Sequence, residues 1–215
     1  MQTKIQLLEK GENMFTQSKE SLSSMTPEKA LQLLKEGNRR YVEGNRLERD
    51  LLQQTTETAS GQYPFAVVLG CVDSRVPLEL VFDLGIGDIF GVRIAGNLVN
   101  EDILGSMEFA AKVVGSKHIF VLGHTSCGAI QGAKDEVELG HLTGLVNKLQ
   151  PAVEAVKNIH GEADLDINEI AEANVRLMIE EITKKSPILR ELVERKELSV
   201  SGGMYDVATG EVTFL

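Results

Sequence analysis

"PFAVVLGCVDSRV", residues 64–76, begins as an apolar run and ends as a row of reactive groups. Phe65 to Leu69 are apolar without a break and carry β-branched side chains. A strand with one wet face alternates apolar with polar residues. An unbroken run marks a strand buried on both faces, as in a parallel sheet covered by helices. From Cys71 onward the period becomes two. Cys71, Asp73 and Arg75 stand at alternate positions, on one side of an extended chain. A thiol, a carboxylate and a guanidinium there are a potential metal ligand, an acid and that acid's natural partner.

Working outward, "DIFGVRI" (88–94) and "HIFVLG" (118–123) read as two more strands. Between them Asn100 caps a helix whose apolar stripe is Ile103, Leu104, Met107, Ala110, Ala111 and Val114, ended by Gly115. A glycine-bearing turn leads into a helix at about 126–134, and a long helix is expected at about 140–158. Ile167 to Ile182 carry a helical stripe, and Ser186-Pro187 opens another helix. Upstream, Thr26-Pro27-Glu28 starts a helix that Gly37 is expected to end, followed by a loop to about residue 62. "LSVSGGMYDV" and "EVTFL" form a closing strand and hairpin. The expectation is an α/β fold: a central, mainly parallel β-sheet flanked by helices, with an N-terminal helical arm and a C-terminal strand or hairpin. Sites in such sheets gather at the carboxyl ends of strands.

Composition narrows the partners. The chain has 215 residues with a net charge of −10, which argues against nucleic acid and against an anionic membrane surface. No apolar run approaches the ~18–20 residues that span a bilayer, and the start lacks a signal-peptide core. The expected compartment is the cytoplasm. There are only two cysteines, Cys71 and Cys127, and a reducing cytosol disfavours a disulfide between them.

The neighbours of those cysteines point to metal. In "VLGHTSCGA" (121–129), His124 and Cys127 are three apart across a turn into a helix, so both can face one point. Cys71 comes from a neighbouring strand end. Two thiolates and an imidazole suit zinc. Three protein ligands with an open fourth position describe a catalytic rather than a structural site. Asp73 has two readings: a fourth ligand, or an acceptor beside the fourth position. Arg75 favours the second, because a bidentate guanidinium keeps a carboxylate oriented and ionised.

C-x-D-x-R followed by H-x-x-C, with "RVPLELVFDLGIGDIFGVRIAGN" between them, resembles the β-class carbonic anhydrases. The likeness runs from about Thr26 to Leu215 and takes in "LKEGNRRYVEGN", "VLGHTSCGAIQGA" and "GGMYDVATGEVTFL". The resemblance implies one Zn2+ per subunit on Cys71, His124 and Cys127. It implies reversible hydration of carbon dioxide to bicarbonate by a zinc-bound hydroxide, oriented by the Asp73–Arg75 dyad. Asp73 becomes a conditional fourth ligand in a closed state, and the Gly128 backbone N–H contacts substrate. The resemblance also implies a homodimer or dimer of dimers, with residues 1–42 as an N-terminal arm and 43–215 as the catalytic domain.

Rival readings are a hydrolase of a CO2-like molecule on the same fold, a metal-free cysteine hydrolase using Cys71 or Cys127 with His124, and a non-catalytic zinc protein. The remaining histidines read differently. His118 opens a buried strand and is structural; His141 and His160 are surface residues. Gly85 to Asp88 is a turn before a strand, and "GGMYD" marks close strand packing.

Overall fold

The computed structural model describes residues 16–161 and 165–215. Residues 1–15, most of the expected irregular stretch of the arm, lie outside them. Three buried strands form the centre. β1 is Ala66–Gly70, β2 is Ile89–Arg93 and β3 is His118–His124. β4 (Ser199–Tyr205) and β5 (Val212–Phe214) complete a five-stranded sheet of order β2-β1-β3-β4-β5. All neighbours are parallel except β4 and β5. This is the mainly parallel α/β sheet expected, with the closing strand antiparallel at one edge.

Alternation along the strands divides the core in two. Val67, Leu69, Ile119 and Val121 face one helical layer, whereas Ala66, Val68, Phe120 and Leu122 face the other. The second layer includes α1 (Lys19–Ser23) and α2 (Pro27–Val42), which bury Leu22, Ala30 and Leu34. Thr26 caps α2 by accepting from Lys29 N at 3.2 Å, with Pro27 at its first position. Gly37 does not end this helix. It sits within it because the Phe82 carbonyl packs against its Cα; a Cβ there would lie 1.8 Å from that oxygen.

The expected loop to residue 62 contains α3 (Leu51–Thr58), capped by Asp50 accepting from Gln53 N at 2.9 Å. Its threonines are poor helix formers, but Thr55, Thr56 and Thr58 turn their hydroxyls back onto carbonyls of the preceding turn. A short α4 (Leu78–Val81) precedes β2. α5 (Glu101–Glu108) is capped by Asn100 as expected, widens into a π-helical turn over Phe109–Val114, and stops at the left-handed Gly115.

After β3 come α6 (Gly128–Lys134), α7 (Gly140–Val146) and α8 (Gln150–His160). The long helix expected over 140–158 is therefore two helices, joined by a 3₁₀ turn at Asn147–Leu149. Pro151 in the first turn of α8 makes that break natural, because its ring cannot continue a helix from behind. α9 (Ile167–Lys185) and α10 (Pro187–Glu194) finish the first layer.

Candidate metal centre

Register positions the site. β1 and β3 run side by side, with Gly70 opposite Leu122, so both end at the same edge of the sheet. The residue after β1 is Cys71, and the last residue of β3 is His124. The turn that follows passes through a left-handed Ser126 (φ 55°) and delivers Cys127 at the start of α6. One ligand atom from each of Cys71, His124 and Cys127 lies within 4.8 Å of the others, and all three residues are buried. The two sulfurs are 4.0 Å apart.

The donor set fits a soft divalent metal. His124 Nδ1 donates to the Thr125 carbonyl at 2.9 Å, which leaves the lone pair on Nε2. That Nε2 is buried and has no hydrogen-bond partner among the described residues. Buried polar atoms are nearly always satisfied, so an orphan facing two thiols calls for a ligand. The hydrogen bond with Cys127 pulls the Cys71 thiol down to about 4, while the Cys71 sulfur and burial push Cys127 up. Two coordinating thiolates would both be deprotonated.

Asp73 stands beside this cluster. Its Oδ2 is 3.9 Å from His124 Nε2, too far for a hydrogen bond. Arg75 grips the carboxylate with Nε on Oδ1 at 2.9 Å and Nη2 on Oδ2 at 2.8 Å. The Arg75 backbone N–H adds a third bond to Oδ1 at 2.9 Å. These contacts hold the Asp73 carboxyl well below the usual carboxylate range. Arg75 Nη2 also reaches the Ser126 carbonyl at 3.1 Å, tying the dyad to the turn that carries Cys127. The sequence reading thus brought together residues that do meet.

It missed Arg93 and Gly96 as individual contributors. Arg93, at the end of β2, donates to the carbonyls of Cys71 (2.9 Å) and Asp73 (2.6 Å) and so fixes the stretch between them, which bends at Val72 and turns at Ser74–Arg75 instead of staying extended as the sequence suggested. A lone cation closing an otherwise apolar strand was the available signal. The Gly96 N–H lies 3.4 Å from Cys71 Sγ. Gly128 opens α6 with nothing within 4 Å of where a Cβ would stand. His118 is distant in register and fully satisfied, and His160 is half exposed near Glu169.

The fold and this cluster define an α/β protein with a Cys-His-Cys group, able to hold a metal ion, at the carboxyl edge of its sheet. A sequence model of the family described as carbonic anhydrase matches residues 66–212. Carbonic anhydrase 2 of Mycobacterium tuberculosis (strain H37Rv) is 33% identical over 197 residues, 88% of this chain and 93% of the relative. The carbonic anhydrase of Mycolicibacterium smegmatis is 31% identical over 198 residues, 89% of this chain and 94% of its own. Among solved structures, the β-carbonic anhydrase CafA of Aspergillus fumigatus superposes with a TM-score of 0.70 at 28% identity, covering 86% of this chain and 88% of that one. One of two tetrameric β-carbonic anhydrases from Sordaria macrospora gives 0.68 at 27% identity, over 74% and 84%. The chain belongs to the carbonic anhydrase family, in its β class. The reaction that defines that family is the reversible hydration of carbon dioxide.

Proposed function

We propose that this chain hydrates carbon dioxide with one zinc ion per subunit held by Cys71, His124 and Cys127, and with Asp73 aiming the attacking oxygen. The observation that carries the reading is the buried, unpartnered His124 Nε2 beside two sulfurs 4.0 Å apart. Zinc bound by such a set supplies Lewis-acid activation of water near neutral pH. The remaining work falls to the chain. Asp73 is ionised, so it can only accept. Oδ2 takes one N–H from Arg75 and keeps a lone pair for the O–H of the nucleophile. That single acceptor leaves the oxygen's other lone pair free to point at carbon. Arg75 is a positioning residue: it holds Asp73 and keeps its charge. Arg93 fixes the backbone on which Cys71 and Asp73 ride. The Gly128 N–H, at the start of α6, supports a substrate oxygen from the open side.

Asp73 serves as a fourth ligand in a closed state only by leaving Arg75, so the dyad's bonds oppose closure. The Sordaria structures, described as tetrameric, support a homodimer or dimer of dimers here too. A cytoplasmic setting rests on composition; no described helix is long and apolar enough to cross a membrane. The test is stopped-flow CO2 hydration across about pH 6.5–9 on protein of known zinc content. A rate proportional to zinc supports the proposal. No hydration by fully loaded protein overturns it.

A further inference from the structure

We infer that Asn174 is a positioning residue for the candidate metal centre, acting through the left-handed backbone of Gly96 on the Cys71 sulfur. The inference rests on Cys71 being a metal ligand. Ile170, Asn174, Met178 and Ile182 recur every fourth residue along α9 and are all buried, which makes one stripe facing the core. Two of them hold a single turn. Asn174 Nδ2 donates to the Gly96 carbonyl at 2.9 Å, and Met178 Sδ accepts from Val99 N at 3.2 Å. The held turn is unusual in its backbone. Gly96 (φ 68°) and Asn97 (φ 41°) are both left-handed. This conformation turns the Gly96 N–H onto Cys71 Sγ at 3.4 Å. The two peptide groups that flank the Gly96 Cα are therefore each held, one through its carbonyl by the α9 amide and the other through its N–H by the candidate ligand's sulfur.

Asn174 is not an economical core residue. It is 1% exposed, and its Oδ1 is buried without a partner among the described residues. An orphaned acceptor costs stability that an apolar side chain would not. What the asparagine alone supplies is the N–H that fixes Gly96. A peptide N–H on a thiolate stabilises the charge on sulfur and fixes the ligand's direction, and partners of this kind tune metal affinity.

The test uses the zinc and cobalt(II) forms of the whole chain. In Asn174→Leu, zinc release to excess chelator is expected to quicken roughly tenfold, the low end of what such partners contribute. The sulfur-to-cobalt charge-transfer band is expected to move to longer wavelength, because a thiolate without its N–H gives up an electron more readily. A merely structural role would lower thermal stability and leave the band in place. Met178→Leu removes only the Val99 contact, so its band and release rate should match wild type. Asn174 and Met178 line a cavity of about 830 Å3 with Leu98, Ala152 and Leu177. Asn174→Ser opens onto that space and gives the same readout should the leucine fail to pack. An unshifted band with wild-type release in both Asn174 variants overturns the inference. A wild-type cobalt form with no sulfur-to-metal band overturns the ligand assignment itself, and this inference with it.

Discussion

His118 and His124 begin and end one strand, point to the same side of the sheet and are both 0% exposed. Roughly 20 Å of β3 separates them, at the rise of an extended chain. Their chemistry is opposite. His118 has both ring nitrogens occupied, by Ser199 Oγ at 2.6 Å and Ser201 Oγ at 3.1 Å on the neighbouring strand. His124 has one nitrogen on the Thr125 carbonyl and the other bare beside Cys71 and Cys127. Burial alone therefore says nothing about function in this molecule. The unfilled lone pair beside two sulfurs does.

The sharpest way to break the comparison is to remove each ring. His124→Gln should weaken zinc retention by about 100-fold or more, beyond what loss of an outer partner costs, and hydration should fall with it. His118→Gln should keep its zinc after dialysis. Equal zinc loss in both would erase the distinction. Next in size is Asp73→Asn, which keeps shape and removes the charge. Hydration should drop about 100-fold, the scale of one proton-handling group, with zinc stoichiometry intact. A wild-type rate at full zinc would remove Asp73 from the mechanism.

Legibility in the sequence also differed from one part of the molecule to another. β1 and β3 announced themselves as unbroken apolar runs, because both of their faces are covered. Cys71, Asp73, Arg75, His124 and Cys127 were readable because each motif is local in sequence, although the first three ride on a bend and a turn and not on the extended chain expected. The contacts of Arg93 and Asn174 were not, since their partners lie 20 to 78 positions away and only the folded sheet joins them. Helix α3 was hidden by its threonines. Gly37 was misread because its reason is the Phe82 carbonyl pressing on the helix, not a helix end.

The third prediction concerns pH. Burial, with Lys35 adding to it, pushes His118 down to about 4, against about 6.5 for a free imidazole. Above pH 6.5 the ring is neutral in both folded and unfolded chains and adds no pH dependence. Between 6.5 and 4 only the unfolded chain takes the proton, so stability falls as pH falls, by roughly 3 kcal/mol over the whole window. Urea unfolding of zinc-free protein at pH 6.5 and 4.5 should show wild type losing about 2 kcal/mol more than His118→Gln. Taking the difference between the two proteins cancels contributions from the candidate metal centre at the far end of the strand. Parallel pH curves would mean that His118 is not held neutral.

The smallest effect is the most instructive. Ser201→Ala removes the partner of His118 Nε2 and gives this ring the same orphaned nitrogen that His124 has. Ser199 stays on Nδ1, so the ring keeps its place. The expected cost is about 1 kcal/mol in urea unfolding, that of one buried polar group left unpaired. No second zinc should be taken up. His118 meets Phe120, Ser199 and Ser201 and feels the Lys35 cation, and among the described residues this imidazole belongs to no cluster of metal-ligating side chains. A variant that is destabilised yet still binds one zinc per chain would show that an orphaned nitrogen marks a metal centre only in company. A second equivalent of zinc on Ser201→Ala would mean the opposite: the bare ring recruits the metal, and the sulfurs beside His124 are less decisive than their 4.0 Å spacing suggests.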